Sequence, residues 1–193
     1  MIIKLKNNET QLISRCKKND RKAQKELFEL HAPVMLAVCR RYISDIDTAE
    51  GVMLNNFMKV FQKLDQFNFE GSFQGWIRRI MINGCLTWIR KNKIMYKEID
   101  IDECGDDLNL ESINDHLEAE DLMELISELP QGYGAVFNLY AIEGYNHQEI
   151  AKELDISTGT SKSQLSRARK YLQNRLKSLE KAELTRPKNK NAG

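Results

Sequence analysis

The segment 150–172, which reads IAKELDISTGTSKSQLSRARKYL, carries side chains whose types and spacing suit contact with nucleic acid. A tight turn at Asp155 separates two predicted helices, the second capped by Ser157, in the manner of a helix-turn-helix. Hydroxyls, an amide and cations on the outer face of the second helix can reach base edges and phosphates. The predicted DNA-binding residues of this helix are Thr160, Lys162, Ser163, Gln164, Ser166 and Arg167.

The apolar spacing of the same segment predicts the core of this helix-turn-helix. Ala151 is small where the two helices would cross, and Ile150, Leu154 and Ile156 would fill the pocket between them. The alternative is an ordinary helical hairpin with a charged face, which does not explain why the small residue, turn, cap and basic face occur together. The residues that the second helix is expected to bury are Ser161, Leu165, Ala168 and Leu172.

A second group of candidate residues combines aromatic rings with cations. Phe67, Phe69, Phe73 and Trp76 lie within ten residues, next to Arg79. Aromatic rings hold unpaired bases by stacking, at roughly 1–3 kcal/mol per base, so the group suits a single strand. Phe67 and Phe69 fall in a predicted loop and are better placed to reach DNA. Trp76 lies on an apolar helical stripe, where core packing competes with strand binding.

The charges are sorted into three blocks, although the whole chain carries only +1. Residues 1–97 hold 18 Lys/Arg and 9 Asp/Glu, and residues 129–193 hold 11 and 6. Between them, residues 98–128 hold 13 Asp/Glu and no Lys or Arg. This pattern indicates two polyanion-binding modules on one tether. The acidic strip could imitate nucleic acid, cover the basic modules in the free protein, or act as a plain solvated tether.

Composition and periodicity predict an all-α fold with two small domains. The 193 residues suffice for two small cores, and only 10 Gly and 3 Pro favour long helices. No alternation typical of strands occurs. Asp20 is expected to cap a first long helix, and Pro33 to kink it or break it in two. The apolar positions assigned to that helix are Ala23, Leu27, Leu30, Val34, Val38 and Tyr42.

Further helix starts follow from capping patterns. Asp47 with Glu50 reads as a capping box that opens a helix to about Leu64, and Ser72 would start the next helix. The apolar face of the Asp47 helix would be Met53, Phe57, Val60, Phe61 and Leu64, and the Ser72 helix would bury Trp76, Ile77, Ile80 and Leu86.

In the C-terminal half, a helix is expected to resume near residues 113–115 and to end at Pro130. Another follows from Gln131 and ends at Gly144. Asn146 with Glu149 forms a second capping box, for a short helix over 147–154. The helix after Ser157 should run to about Leu179.

The sequence predicts no catalytic, metal or cofactor site. The four cysteines form no C-x-x-C pair, so reduced and mostly packed thiols are expected. The three histidines are scattered, and no P-loop or H-E-x-x-H occurs, which disfavours an enzyme acting on nucleic acid. No apolar run approaches the roughly 20 residues of a membrane span, and the N-terminus does not read as a signal peptide. We therefore expect a cytoplasmic protein.

Two stretches resemble extracytoplasmic-function (ECF) sigma factors of the sigma-70 family. The family's C-terminal promoter-binding domain is similar to residues 129–173, LPQGYGAVFNLYAIEGYNHQEIAKELDISTGTSKSQLSRARKYLQ. Its N-terminal domain is similar to 47–64 and 69–93, DTAEGVMLNNFMKVFQKL and FEGSFQGWIRRIMINGCLTWIRKNK. The family pattern F-x-x-W-[LI]-x-R-I-x-x-N is matched by Phe73, Trp76, Ile77, Arg79, Ile80 and Asn83.

The resemblance implies a domain order and a set of partners. Residues 1–97 would form a helical bundle similar to sigma region 2, 98–119 an acidic linker that threads into the polymerase cleft, and 120–179 a domain similar to sigma region 4. Residues 180–193 would be a disordered tail. The implied partners are promoter DNA and core RNA polymerase, through its flap and the clamp helices of its largest subunit. Family members commonly have an anti-sigma factor, so that partner is open, and the free chain is expected to be a monomer.

The resemblance also assigns roles to individual residues. The C-terminal recognition helix would bind the −35 element, through Lys162, Ser163, Ser166 and Arg167 in particular. The residues implied for the −10 element and for strand opening are Phe67, Phe69, Phe73, Trp76, Arg79 and Asn83. Those implied for polymerase docking are Asp47, Glu50, Asn55 and Lys59.

The predicted docking helix departs from the family pattern A-E-D-x-x-Q-E. Ala49 and Glu50 match, but Gly51, Leu54 and Asn55 replace an acid, an amide and a second acid. Two further alternatives therefore stay open. The chain could be a stand-alone helix-turn-helix regulator without productive polymerase docking, or a helical adaptor that binds polymerase without recognising promoters.

Overall fold

The computed structural model describes residues 2–92 and 124–185, and within those ranges it contains helices and no strand. The predicted all-α class is confirmed. The chain divides into two compact units, Met1–Tyr96 and Lys97–Gly193. The predicted acidic linker, 98–119, lies outside the described residues. None of the described helices combines the length and the apolar character that crossing a bilayer requires.

The helices of each unit follow one another through short turns. The first unit contains α1 (Ile2–Lys17), α2 (Arg21–Arg40), α3 (Ile46–Gln62), a 3₁₀ turn (Leu64–Gln66) and α4 (Phe73–Lys91). The second contains helical residues 124–127, α5 (Gln131–Phe137) with a π-helical continuation (Asn138–Ile142), α6 (His147–Leu154) and α7 (Thr158–Thr185).

Asp20 caps α2, as predicted. Its Oδ1 accepts hydrogen bonds from the backbone N–H groups of Lys22 and Ala23 at 2.9 and 3.1 Å, and Arg15 pairs with its Oδ2 at 2.8 Å. These contacts lower the pKa of the Asp20 carboxyl, and the hydrogen bond from the Ala23 N–H contributes most to the shift. Of the two outcomes expected at Pro33, the break is wrong, because α2 continues through it, and the kink stays a prediction. Pro33 lies on the exposed side of α2, where water can satisfy the carbonyl group that loses its helical partner.

The buried face of α2 differs in part from the prediction. Ala23, Leu27, Val38 and Tyr42 are buried as expected, but Leu30 and Val34 are 58% and 45% exposed. The positions expected for these two are taken by neighbours one residue further along, so that the buried stripe continues through His31, Met35 and Cys39.

The buried stripe of α2 includes the polar His31. Because this residue interrupts the apolar spacing, the sequence does not indicate the stripe. The His31 ring packs edge-on against Phe73, with centroids 5.5 Å apart. Burial lowers the pKa of His31, and Glu9, 3.6 Å away, opposes that shift. The ring therefore serves as a core aromatic between α2 and the start of α4.

Helix α3 begins two residues earlier than predicted. Asp45 is its N-cap, and Oδ2 of Asp45 accepts a hydrogen bond from the N–H of Thr48 at 2.8 Å. The predicted capping box of Asp47 and Glu50 is wrong, because Asp45 is the extended residue before the first turn and Asp47 lies within that turn. The apolar face is confirmed at Met53, Phe57, Val60 and Leu64, which are buried, and Phe61 is half-buried.

Helix α4 begins at the predicted cap and packs closely on α3. The Ser72 Oγ accepts a hydrogen bond from the N–H of Gly75 at 3.3 Å. Asn56 of α3, 1% exposed, fills the space that a Cβ atom on Gly84 of α4 would occupy. Asn56 Oδ1 also accepts a hydrogen bond from Lys59 Nζ at 2.9 Å. On the predicted stripe of α4, Ile77 and Leu86 are buried, whereas Trp76 and Ile80 are half-buried.

A glycine turn and an ion pair accompany the apolar core of the second unit. Gly144, at φ +76°, ends the π-helical segment, as predicted from its position. Arg175 of α7 donates two hydrogen bonds to Glu128, from Nε at 2.7 Å and from Nη2 at 3.1 Å. Helix α7 continues to Thr185, beyond its predicted end near Leu179. The remainder of the predicted tail, residues 186–193, lies outside the described residues.

Replacing Gly84 by Ala should destabilise the first unit by about 1–3 kcal/mol, since the added methyl group overlaps Asn56. The double variant N56A/G84A should lose less than the sum of the two single variants, because the overlap is then gone. Urea unfolding followed by tryptophan fluorescence measures this unit alone, since both tryptophans, Trp76 and Trp88, lie on α4.

Gly51 provides the matched control for this variant. A Cβ atom on Gly51 would meet nothing within 4 Å, so G51A should stabilise α3 by up to about 1 kcal/mol. Equal unfolding midpoints for G84A and G51A would contradict the close approach of α3 and α4.

Candidate nucleic-acid interface

The helix-turn-helix of the second unit is fixed by two caps and a left-handed turn. Asn146 Oδ1 accepts hydrogen bonds from the N–H groups of Gln148 and Glu149, and Glu149 Oε2 accepts from the N–H of Asn146 at 2.8 Å. The predicted capping box is therefore confirmed. Asp155 ends α6 at φ +57° and ψ +51°, and the Ile156 N–H donates to the carbonyl of Ala151 at 3.0 Å.

Ser157 caps the recognition helix α7, as predicted. The Ser157 Oγ accepts a hydrogen bond from the N–H of Thr160 at 2.9 Å. The stripe that was predicted to face α6 is buried throughout. Its members are Ser161, Leu165, Ala168 and Leu172, and Ile150, Ala151 and Leu154 of α6 are buried as well. Helix α7 packs on both α5 and α6. Ile156, expected in the same pocket, is half-buried.

The outer face of α7 presents most of the predicted DNA-binding residues. Lys162, Ser163 and Ser166 are exposed, and Thr160 and Arg167 are half-buried. The expectation that Gln164 lies outside is wrong, because it is only 7% exposed. It follows the buried Ser161 by three positions and precedes Ala168 by four, and this spacing could have indicated a buried side chain.

A cluster that the sequence did not indicate joins α6 to α7. His147 Nδ1 lies 2.9 Å from the Oγ of Ser161, and the imidazole stacks on Tyr140 with ring centroids 4.9 Å apart. The Arg169 guanidinium also lies over the Tyr140 ring, 5.8 Å from the ring centroid. Burial, followed by the positive charges of Lys162 and Arg169, lowers the pKa of His147. The neutral imidazole thus connects the first helix to the recognition helix.

The four aromatic residues predicted to contact DNA form one cluster, and Phe69 is its strongly exposed member. Phe67 and Phe73 are 4% and 2% exposed, and their ring centroids lie 5.0 Å apart. Trp76 is half-buried and stacks on Phe73 at 5.7 Å. Phe69 is 45% exposed and packs on Phe67 at 5.1 Å. The expectation that Phe67 reaches DNA from the loop is wrong, because Phe67 is buried. The predicted base-stacking role stays open to Phe69 and in part to Trp76, whereas Phe67 and Phe73 lie beneath them.

Two polar members of the predicted −10 set share one face of α4. Arg79 and Asn83 are both exposed and are separated by four residues, which places them on the same side of the helix. Trp76 precedes Arg79 by three residues and therefore borders the same face. A basic, amide and aromatic surface suits a single strand better than it suits any apolar partner.

The predicted docking residues lie along the outside of α3. Asp47, Glu50, Asn55 and Lys59 are all exposed. Two apolar side chains accompany them on the same helix, namely Leu54 and Met58, at 44% and 60% exposure. The surface is therefore a mixed one, with charged and apolar side chains together.

Metal and thiol chemistry finds little support in the described part of the chain. It contains no group of three or more His, Cys, Asp or Glu side chains that could hold a metal ion. Cys16, Cys39 and Cys85 are free and buried, and Cys104 lies outside the described residues. Burial raises the pKa of the Cys16 thiol to about 11. A hydrogen bond with Cys39, followed by burial, raises that of Cys85.

Comparison with known proteins gives matches over both units. The family model for Sigma-70 region 2 matches residues 27–94, and the model for Sigma-70, region 4 matches residues 119–172. The ECF RNA polymerase sigma-E factor of Haemophilus influenzae is 24% identical over 182 residues, which cover 87% of this chain and 95% of that protein. The ECF RNA polymerase sigma factor SigW of Bacillus subtilis is 26% identical over 180 residues, covering 86% and 96%.

Two solved structures are also similar. CnrH in complex with the cytosolic domain of CnrY gives a TM-score of 0.43 at 20% identity, covering 86% of this chain and 96% of that one. The sigma factor RpoE in complex with the anti-sigma factor NepR from Bartonella quintana gives 0.44 at 24% identity, covering 79% and 96%.

In an NMR titration, the pKa of His147 should lie below its ordinary value of about 6.5, since burial and two nearby cations oppose the charged ring. Because the folded value lies below the unfolded one, the unfolded chain binds more protons between the two values. The second unit should therefore lose stability as the pH falls through about 6.5 towards the folded pKa.

Charge-removal variants separate the causes of this shift. Lys162→Ala should raise the pKa of His147, because it removes a positive charge that opposes protonation. Lys152→Ala removes an exposed cation on α6 and serves as the control. A His147 pKa that both variants leave at the wild-type value would show that Lys162 contributes nothing.

Proposed function

Because this chain belongs to the extracytoplasmic-function group of the sigma-70 family, we propose that it directs core RNA polymerase to specific promoters and helps open them, with one DNA-binding module in each unit. The observation that carries this proposal is the order of the two matches, region 2 before region 4, within one chain. Sigma factors initiate transcription without catalysis of their own, and we propose the same for this chain. RNA polymerase works in the cytoplasm, so we place the proposed function there.

In this proposal, the second unit binds the −35 element. Support comes from the capped helix-turn-helix and from the exposed side chains near the start of α7. Lys162 and Arg167 would contact phosphates and base edges, and Ser163 and Ser166 would add short hydrogen bonds. The buried Gln164 would not contact DNA, and its amide would support the recognition helix from inside the unit.

The first unit would bind the −10 element and hold the opened strand. Phe69, in the loop after α3, is the proposed stacking platform, and Arg79 and Asn83 on α4 would contact the strand beside it. Phe67 and Phe73 would support this surface from the core. Their burial favours a structural contribution over direct stacking.

Polymerase docking is proposed for the outer face of α3. Asp47, Glu50, Asn55 and Lys59 supply its polar groups, and Leu54 and Met58 add apolar area. Contact with the clamp helices of the largest polymerase subunit would then depend less on acidic side chains than the family pattern suggests. We propose an anti-sigma factor as a further partner, because the family commonly has one.

The alternative of a stand-alone helix-turn-helix regulator is not favoured. That alternative left the aromatic and basic N-terminal block without a role, whereas the region 2 match covers residues 27–94 of that block. An adaptor without promoter recognition is likewise disfavoured by the exposed polar face of α7.

The decisive experiment mixes the purified full chain with bacterial core RNA polymerase and tests co-elution on size exclusion. The complex is then supplied with a promoter library, and transcript starts are mapped. Co-elution with new start sites would support the proposal and reveal the promoter elements. Specific duplex binding without co-elution would replace it with the stand-alone regulator.

Arg167→Ala should weaken binding of the full chain to −35 duplex DNA by about 1–3 kcal/mol at fixed salt. The DNA is the promoter recovered from the library, and affinity is measured by fluorescence anisotropy. Lys177→Ala, which removes an exposed cation further along α7, should change the affinity much less. An Arg167→Ala affinity equal to that of the wild type would remove Arg167 from the contact set.

A further inference from the structure

Phe69 occupies an unusual backbone conformation at an exposed position. Its φ is +62°, a region that bulky side chains rarely adopt, and 45% of the residue faces solvent. Such a conformation persists only where surrounding contacts hold it. The exposed ring therefore depends on neighbours that fix the loop over residues 67–71.

We propose that Lys17, on α1, is a positioning residue that holds this loop so that Phe69 can stack on an unpaired base of the opened promoter strand. The inference rests on the proposed function for its DNA substrate. Its structural part rests on contacts within the free chain. Lys17 precedes the segment matched by the region 2 model, which begins at residue 27, so the family match assigns it no role.

One ammonium group makes two contacts with the loop. Lys17 Nζ donates a hydrogen bond to the backbone carbonyl of Phe67 at 3.1 Å. The same atom lies over the Phe69 ring, 5.2 Å from its centroid. The first contact fixes the backbone before the left-handed residue, and the second is a cation–π interaction that fixes the ring itself.

The other side of the loop is held by packing. Phe67 is buried against Phe73 and Trp76, with ring centroids 5.0 and 5.6 Å away. Phe69 rests on Phe67 at 5.1 Å. Lys17 and Phe67 thus leave Phe69 little freedom while nearly half of its surface stays available to a base. Stacking on a preorganised ring avoids the entropy cost of ordering the loop during strand opening.

The neighbouring residue provides a matched control. Lys18 is exposed, carries the same charge and directly follows α1. Lys18→Met and Lys17→Met remove equal charge from nearly the same place, so a general electrostatic effect would appear in both. Lys17→Arg keeps the cation and a donor, and should preserve the function of the loop.

The experiment measures promoter opening by holoenzyme, reconstituted from core RNA polymerase and the full chain, on the promoter recovered from the library. Permanganate reactivity of unpaired thymines gives the opening rate. We expect Phe69→Ala to slow opening about tenfold or more, and Lys17→Met to slow it several-fold. Lys17→Arg and Lys18→Met should remain within about twofold of the wild type. The double variant K17M/F69A should be no slower than F69A, because Lys17 acts through the Phe69 ring.

Co-elution with core polymerase and NOE contacts in the free chain separate the possible failures. If the wild-type holoenzyme opens no promoter, the proposed function fails, and this inference fails with it. If the wild type opens promoters and Lys17→Met does so equally fast, only this inference fails. Loss of co-elution by Lys17→Met and Phe69→Ala would make the loop a protein interface, and would overturn it as well. An NOE between the Lys17 side chain and the Phe69 ring, present in wild type, would support the positioning contact.

Discussion

The first turn of every helix leaves backbone N–H groups without partners, and this structure depends on satisfying them at short turns. A cap contributes typically about 1 kcal/mol, but its larger effect here is to decide which residue leaves the loop and enters the helix. Ser72 separates the aromatic loop from α4, and Ser157 separates the turn at Asp155 from the recognition helix. The candidate DNA-binding side chains lie within eleven residues of one or the other of these two caps. The caps therefore fix where each helix begins, and tertiary contacts such as the hydrogen bond from Lys17 to Phe67 then hold the loop.

Packing then divides neighbouring residues between support and contact. In the aromatic loop, Phe67 turns inwards and Phe69 outwards, although only one residue separates them. In α7, Ser161 is buried and bonded to His147, while Lys162 beside it is exposed. Each exposed group therefore stands on a buried neighbour of its own segment. A substitution in the supporting layer would alter the contact layer without touching DNA.

Local patterns in the sequence predicted the elements but not the contacts between them. The caps at Asp20, Ser72, Asn146 and Ser157 were predicted because each uses residues within three positions of one another. The assignment of Leu30 and Val34 to the core was wrong, since the polar His31 interrupts the apolar spacing that marks the buried face.

Two further features could not have been predicted from local patterns. The fit of Asn56 against Gly84 joins two helices, and the hydrogen bond from Lys17 to Phe67, 50 residues away, joins a helix to a loop. Both depend on how helices approach one another, which no single segment encodes. The sequence therefore predicted most of the recognition helix, and missed the groups that hold the strand-binding loop in place.

The buried thiols of the first unit can report how often the unit opens locally. Cys16, Cys39 and Cys85 are shielded from solvent, and the raised pKa values of Cys16 and Cys85 keep those two in the unreactive thiol form. A thiol reagent can reach them only when helices separate, so its reaction rate at each cysteine reports how often that part of the unit opens. The three native cysteines therefore report local opening of the first unit at three positions, and no further cysteine has to be introduced.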